Sequence, residues 1–409
     1  MKFHHTVLEN GLTLLGEENP TALSVAAGYF VRTGARDETA AESGVSHFLE
    51  HMLFKGTERR SAEHVNREFD ELGADYNAFT GEEYTVYYGS VLPEFREPLV
   101  DLLTDMMRPT LRVDDFDVEK NVILEEIAMY KDRPQFAVID EARSTYYTGH
   151  PLGQSVLGTT ESITALKRDQ MYDYWQRRYA PNNLILSITG NFDWEELVRQ
   201  VRHDTRRWSA ADSPRATPPF TPHSKVRVVA NEKIARAHLA LVSPGVPARD
   251  ERRYVADIVG DMVGGGEGSR LFWDLVDPGI ADAAQISHDT EDGSGAYFGY
   301  SSCDPERAQE VLDRIRAVLA KVTEEGFRED EIERAKRKTA SALVIGEETP
   351  RGRLFRLGFD WQYREQYATV DEVIDRYLAV SNADVAAFMA ARPFDVLSVV
   401  ALGPLTTLA

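Results

Sequence analysis

The sequence predicts an α+β protein built as two tandem copies of one domain, and three observations carry that reading. At 409 residues the chain is too long for one ordinary core and long enough for two. Its halves share landmarks. Ala35-Arg36-Asp37-Glu38 returns as Ala248-Arg249-Asp250-Glu251, 213 residues further on, and Gly190, after a strand-like run, returns as Gly403 at the same offset. Pro181 and Pro393 precede those runs, 212 residues apart. A repeat of about two hundred residues lies within the usual range for a domain. Within each half, consecutive strands give way to runs of helices, an order that belongs to α+β proteins rather than to strictly alternating βαβ folds.

The N-terminal stretch "MKFHHTVLENGLTLLGEE" alternates on either side of Asn10-Gly11, which makes residues 3–17 a strand pair around a turn. A strand follows at 23–32, and then helices near 42–54 and 61–72, where apolar residues recur at helical spacing. Strands fall near 75–91, helices at 94–106 and 115–131, and further helix leads to a strand at 184–190. From Arg206 to Lys225 the sequence "RRWSAADSPRATPPFTPHSK" is dense in Pro, Ser and Thr, which neither pack a core nor sustain a ladder. The expected organisation is a first domain at 1–210, a linker at 211–224 and a second domain at 225–409.

Composition narrows the function classes. With 43% hydrophobic and 28% charged residues the chain is a globular protein rather than a disordered one. A net charge of −21 repels phosphate-bearing partners, so neither nucleic acid nor an anionic membrane is expected to bind. The single cysteine, Cys303, has no internal disulfide partner and is expected to be an inert thiol in a reducing compartment. The N-terminus lacks the continuous apolar segment of a secretion signal, and no stretch approaches the roughly eighteen apolar residues that span a bilayer. The expected location is cytoplasmic.

Residues 46–56, "SHFLEHMLFKG", place two histidines and a glutamate in the most apolar short run of the first hundred residues. On a helical wheel His51 falls about 40° from His47 and Glu50 about 60° to the other side, while Phe48, Leu49, Met52 and Leu53 fill the rest. A helix apolar nearly all round is buried, so its polar groups must be paired or coordinated. Two histidines one turn apart can direct their imidazoles at one metal ion. The alternative is a pair of core histidines bonded to backbone carbonyls.

A third ligand would decide between them, and the helix 115–131 offers one. On its wheel Met129, Val122, Val118, Tyr130, Ile123, Phe116 and Ile127 form an apolar arc with Glu126 and Glu119 in its middle and Glu125 at its edge. A carboxylate centred on a buried stripe is rare unless it is paired or metal-bound. Seven residues rise about 10 Å, so the two glutamates do not share one ion directly. Glu126 is assigned to the metal, and Glu119 to orienting a histidine or holding a proton; a buried salt bridge remains open for Glu119. Two histidines and a carboxylate, with a fourth position open, form the catalytic zinc pattern, and the cysteines of a structural site are missing. Glu50, beside the ion, could then move the proton of a water to a leaving amine.

These residues resemble the pitrilysin or insulinase family of zinc peptidases, which includes the mitochondrial processing peptidases and carries the zincin motif inverted. The segments "GVSHFLEHMLFKGT", "ADYNAFTGEEYTVYY", "EKNVILEEIAMYKDRP" and "GHPLGQSVLGT" look like that family, in its order, and the second half matches more loosely through "GGGEGSRLF". The resemblance implies Zn2+ held by His47, His51 and Glu126, with Glu50 as general base and Glu119 as an accessory catalytic glutamate. It implies two αβ-roll domains, each a mostly antiparallel sheet covered by helices. It also implies a substrate strand at Asn77, Ala78, Phe79 and Thr80 that pairs main chain to main chain with short unfolded peptides in a chamber.

The second half departs from the pattern. His47, Glu50 and His51 map onto Gly260, Val263 and Gly264, which cannot bind metal. The run Gly264-Gly265-Gly266 with Gly268 lacks the Lys-Ser/Thr ending of a phosphate loop. Family members that bind substrate with their second half carry an arginine and, seven residues later, a tyrosine; here Leu275 or Val276 stands near the first place and Asp282 near the second. The expected partner is therefore a related subunit supplying that pair, with a homodimer as the alternative. A noncatalytic scaffold subunit is the competing function, which the intact set of His47, Glu50, His51 and Glu126 disfavours.

Overall fold

The computed structural model describes all 409 residues. The first half of the chain forms strands β1 (Lys2–Val7), β2 (Thr13–Glu18), β3 (Val25–Val31), β4 (Asp75–Thr80), β5 (Thr85–Val91) and β6 (Leu184–Gly190). Its helices are α1 (Val45–Leu53), α2 (Ala62–Glu71), α3 (Arg96–Met106), α4 (Val113–Lys131), α5 (Pro134–Tyr146), α6 (Thr160–Ala165), α7 (Arg168–Arg178) and α8 (Trp194–Asp204). The second half adds β7 (Val226–Ala230), β8 (Ala237–Pro244), β9 (Ala283–Glu291), β10 (Ser294–Cys303) and β11 (Ser398–Gly403). Between these strands come α9 (Arg253–Gly264), α10 (Ala308–Glu325), α11 (Glu329–Gly346), α12 (Pro350–Arg364), α13 (Val370–Leu378) and α14 (Asn382–Ala390).

Two sheets repeat one topology. The first runs β1-β2-β6-β3-β5-β4 and the second β7-β11-β8-β10-β9, so β7 to β11 take the places of β2 to β6. In each sheet one pair is parallel, β2 with β6 and β7 with β11, and the others are antiparallel. The repeated landmarks sit at equivalent points: β3 ends at Val31 and β8 at Pro244, just before the two Ala-Arg-Asp-Glu segments. Gly190 and Gly403 close the matching strands at positive φ, where other residues are strained.

The compact units do not follow the expected division at 210 and 225. One unit comprises residues 1–128, 154–216 and 346–367, and the other 129–153, 217–345 and 368–409. Each sheet buries one face under helices of its own half and the other under one helix from the opposite half of the sequence. In the first unit Leu354 and Leu357 of α12 pack on Leu15, Ala26, Phe30, Val86 and Ile185. The buried Arg353 of α12 donates from Nε to Glu17 Oε1 on β2 at 2.8 Å. In the second unit Val138, Ala142 and Tyr146 of α5 pack on Ala240, Val242, Ala296, Val400 and Leu402. A sheet with apolar residues on both faces needs two layers, and the exchanged helices provide the second.

The Pro-rich segment also begins differently from a free linker. Residues 211–216 belong to the first unit, where the Arg215 guanidinium reaches Asp37 at 2.7 Å and Glu83 at 3.9 Å. Cys303 is buried and unpaired, and burial pushes its thiol up to about 11. No helix is long and apolar enough to cross a membrane.

Candidate metal centre

The site is built in the first unit on α1, α4 and β4. Helix α1 starts at Gly44, whose φ of +88° and whose place 2.6 Å (measured from an added Cβ) from the Leu157 carbonyl oxygen both demand glycine. Glu38 accepts from the backbone N–H groups of Gly44 and Ser46, each at 2.7 Å, and so satisfies the first-turn donors of a buried helix. The Ser46 and Tyr174 hydroxyls pair at 2.7 Å. Phe48 of α1 stacks on Phe116 of α4, 4.7 Å between ring centroids, which sets the two helices against each other.

That packing brings His47, His51 and Glu126 together, with one ligand atom from each within 4.8 Å of the others. His47 Nε2 lies 3.7 Å and His51 Nε2 3.5 Å from Glu126 Oε2, too long for strong hydrogen bonds. A tetrahedral zinc ion with ligands at 2.0–2.1 Å holds them about 3.3 Å apart, so the spacing suits atoms around a common ion. His47 Nδ1 is buried with no hydrogen-bond partner, and burial, with the charge of His51 added, pushes this imidazole down to about 3. An imidazole kept neutral by burial has a free lone pair, and with Nδ1–H carrying the proton that lone pair is on Nε2, the atom nearest Glu126, where a cation can take it. The residues fit zinc.

The second histidine is oriented from behind. His51 Nδ1–H donates to Glu119 Oε1 at 2.8 Å, which leaves the Nε2 lone pair facing Glu126. Lys55 Nζ meets the other Glu119 oxygen at 2.6 Å. Burial raises the Glu119 pKa, but the bonds from His51 and Lys55 outweigh it and hold the carboxyl below its usual range. Burial likewise works to depress His51, and the Glu119 bond with the Glu50 and Glu126 charges reverses the sign.

Glu50 is 9% exposed and lies on the same helix between the two histidines. Burial raises its pKa, offset in part by the Thr80 hydroxyl, which donates to Oε2 at 2.6 Å. One oxygen is thus anchored and the other is left for a proton.

Of the expected substrate strand, β4 is the outer strand of its sheet and pairs only with β5. Ala78 turns into the main core with Tyr76, and Phe79 packs on the opposite face against Phe355 and Tyr88. Asn77 is exposed, and its Oδ1 accepts from the Ala78 N–H at 2.9 Å. Thr80 bonds to Glu50, a role distinct from strand pairing.

Helix α4 is rotated from its expected setting. Val118, Val122 and Met129 are 64%, 45% and 42% exposed, whereas Phe116, Glu119, Ile123 and Ile127 form the buried stripe. Glu119 is therefore central and Glu126 lies at the edge, only partly buried, where it can meet both histidines and solvent. Lys55 was not singled out in the sequence, although it stands one turn after His51, the spacing that puts it on the histidine side of the helix end.

The second unit has no counterpart centre. Its helix α9 takes the place of α1, and a Cβ on Gly264, the residue matching His51, would lie 2.4 Å from the Ile286 backbone nitrogen. The glycines press helix onto strand where the first unit keeps space for side chains.

Comparison with known proteins places the metal-binding residues in a peptidase family. Residues 13–160 match the family described as Insulinase (Peptidase family M16), and residues 165–339 match the Peptidase M16 inactive domain. A Streptomyces coelicolor protein named as an uncharacterized zinc protease is 34% identical over 392 residues, 93% of this chain and 85% of its own. Bacillus subtilis YmxG, similarly named, is 33% identical over 91% of both chains. Among solved structures, a peptidase M16 inactive domain from Pseudomonas fluorescens aligns with a TM-score of 0.91 at 18% identity, covering 100% of this chain and 99% of that one. A Helicobacter pylori protease aligns at 0.90, also 18% identical, over 98% and 99%. A protein with this sheet topology, this His47–His51–Glu126 convergence and these relatives belongs to the insulinase family of peptidases, peptidase family M16.

Proposed function

We propose that the chain is a zinc-dependent endopeptidase in which His47, His51 and Glu126 hold the metal, Glu50 is the general base and extended peptides are the substrates. The observation that carries this is the convergence of those three side chains within 4.8 Å beside a buried glutamate. The names of the Streptomyces and Bacillus relatives as zinc proteases support it.

Zinc in such a site acidifies water towards neutrality and polarises a carbonyl. The chain's own residues do the rest. Glu50, its Oε2 tied by Thr80, takes a proton from the attacking water on its free oxygen and returns it to the departing amine. Glu119 fixes the His51 tautomer, and Lys55 keeps Glu119 anionic. The unpaired edge of β4 at Asn77–Thr80 receives the peptide as an added strand, so recognition runs through main-chain bonds and tolerates varied sequences.

A second, related subunit completes a chamber around the peptide and supplies the arginine and tyrosine that this chain lacks. Here Leu275 is buried in the core of the second unit and Asp282 pairs with Arg236, so neither place offers the expected side chain. A homodimer is the alternative assembly, and a scaffold subunit the alternative function. The test is metal analysis with cleavage of a fluorogenic peptide, by the purified chain alone and with the product of any adjacent related gene. The reading requires zinc-dependent cleavage that Glu50→Gln abolishes while metal stays bound. Full activity of the isolated chain would remove the need for the partner, and no cleavage in either form would leave the scaffold.

A further inference from the structure

A cavity of about 750 Å3 opens in the first unit, lined by none of the residues of the metal centre. On its wall stands Arg108, just beyond the end of α3. The buried arginines elsewhere in the molecule take carboxylates: Arg36 meets Glu83, Arg178 and Arg215 meet Asp37, and Arg353 meets Glu17. Arg108 takes none. Its Nη1 donates to the Met107 carbonyl at 2.7 Å and to the Tyr179 carbonyl at 3.2 Å, and its guanidinium carbon sits 3.5 Å from the Trp208 ring centroid. Burial without a counter-charge pushes this side chain down to about 10. In a chain with 67 acidic residues, a desolvated cation without one calls for an explanation.

The unspent part of the guanidinium is its Nε–Nη2 edge. Neither atom has a hydrogen-bond partner and neither is fully buried, so this edge of a cavity-lining residue remains open. It is the edge that grips a carboxylate with two parallel hydrogen bonds. Trp175 and Tyr172 add aromatic wall, and the volume is that of a small-molecule site. Glu58, Asp105 and Asp204 face Arg59, Arg108 and Arg207 around the cavity, so the lining carries no net charge and has no excess of cations to attract multiply charged anions such as polyphosphates.

We infer that this cavity binds a small monocarboxylate with an apolar or aromatic body, its carboxylate on the Nε–Nη2 edge of Arg108 and its body against Trp175 and Tyr172. A free amino acid and the C-terminus of a short peptide share that chemistry. The site is independent of the metal centre and stands whether or not the peptidase reading does.

The test is titration of the full chain with L-phenylalanine, glycyl-phenylalanine, 3-phenylpropionate and, lacking the carboxylate, phenylalaninamide, followed by tryptophan fluorescence. Saturable change is expected with one or more of the three carboxylates and not with the amide. It is expected to weaken at least about tenfold in Arg108→Gln and to persist in His47→Ala, which excludes binding at the metal. The tighter of the amino acid and the dipeptide identifies the source. Arg108→Lys keeps the charge but not the two-donor edge, and it decides the matter in the same direction if Arg108→Gln does not fold. No saturation with any carboxylate, equal binding in the Arg108 variants, or loss of binding in His47→Ala would overturn the inference.

Discussion

The Thr80 hydroxyl, at the end of an edge strand, donates to Glu50 Oε2 on α1 at 2.6 Å, so the strand that would receive a peptide also holds the base that would cleave it. A hydrogen bond to a charged group contributes about 1.5–3 kcal/mol, and here it also sets which carboxylate oxygen is free. Thr80→Val keeps the shape and removes the donor. It is expected to lower kcat about tenfold or more with KM little changed, whereas Thr80→Ser restores most of the rate. Steady-state kinetics on one fluorogenic peptide measure both. An unaltered kcat in the valine variant would remove Thr80 from catalysis.

Lys55 and Glu119 form the second relationship. The lysine ammonium at 2.6 Å keeps the glutamate ionised, and the ionised glutamate holds His51 Nδ1–H. Losing a group that orients a metal ligand typically costs 10–100-fold in metal affinity. Lys55→Met is therefore expected to release zinc to a chelator about tenfold faster or more, and Glu119→Gln faster still. Zinc retained equally by all three proteins would show that neither residue supports the ligand.

The parts of this architecture that depend on local periodicity were legible in the sequence. The strand expected at 184–190 forms at Leu184–Gly190, and the helix expected at 42–54 forms at Val45–Leu53. Hidden from it were features that depend on what covers what. Val118 and Val122 share an apolar arc on the wheel with Ile123, yet only Ile123 meets the core, because Phe116 stacking on Phe48 fixes the rotation of α4. The exchange of α5 and α12 leaves no local signal, since an amphipathic helix does not state which sheet it will cover. Arg215 in a Pro-rich run reads as solvated until Asp37 and Glu83 are seen beside it. His47 and Glu50 were accessible because buried polar groups in an apolar helix demand partners, whereas Glu126, placed by the same reasoning at the centre of a buried stripe, lies at the edge of that stripe and only partly buried.

Gly358 on α12 tests the exchanged layer. A Cβ there would lie 2.3 Å from Cζ of the Phe30 ring. In an exposed helix Gly→Ala gains about 1 kcal/mol, whereas overpacking a core costs about 1–3 kcal/mol. Although Cζ is the tip of that ring, the ring is fully buried and packed edge-on against Phe355 and Phe359, so it has no room to swing aside; the steric cost should win, and Gly358→Ala should lower the urea midpoint. Adding Phe30→Leu should recover part of the loss, a coupling read from a double-mutant cycle. An alanine variant as stable as the parent would mean that α12 does not pack this closely.

The metal-free protein should carry a pH signature of His47. Its folded pKa is pushed from the ordinary 6.5 down to about 3 by burial and then by His51. A histidine depressed in the folded state takes up protons preferentially when unfolded. The stability it confers is complete above about pH 6.5 and is lost as pH falls towards 3, by at most about 1.4 kcal/mol per pH unit. His51 is shifted upwards, so its own term has the opposite sign and acts above 6.5. Zinc-stripped protein and its His47→Gln variant, unfolded in urea at pH 7.0, 6.0 and 5.0, should therefore differ in slope, the parent losing stability faster on acidification. The glutamine cannot titrate, so the difference isolates the imidazole from the carboxylates that both proteins share. Parallel curves would mean that His47 is not held neutral by burial, and would remove the argument that its lone pair is kept available for a cation.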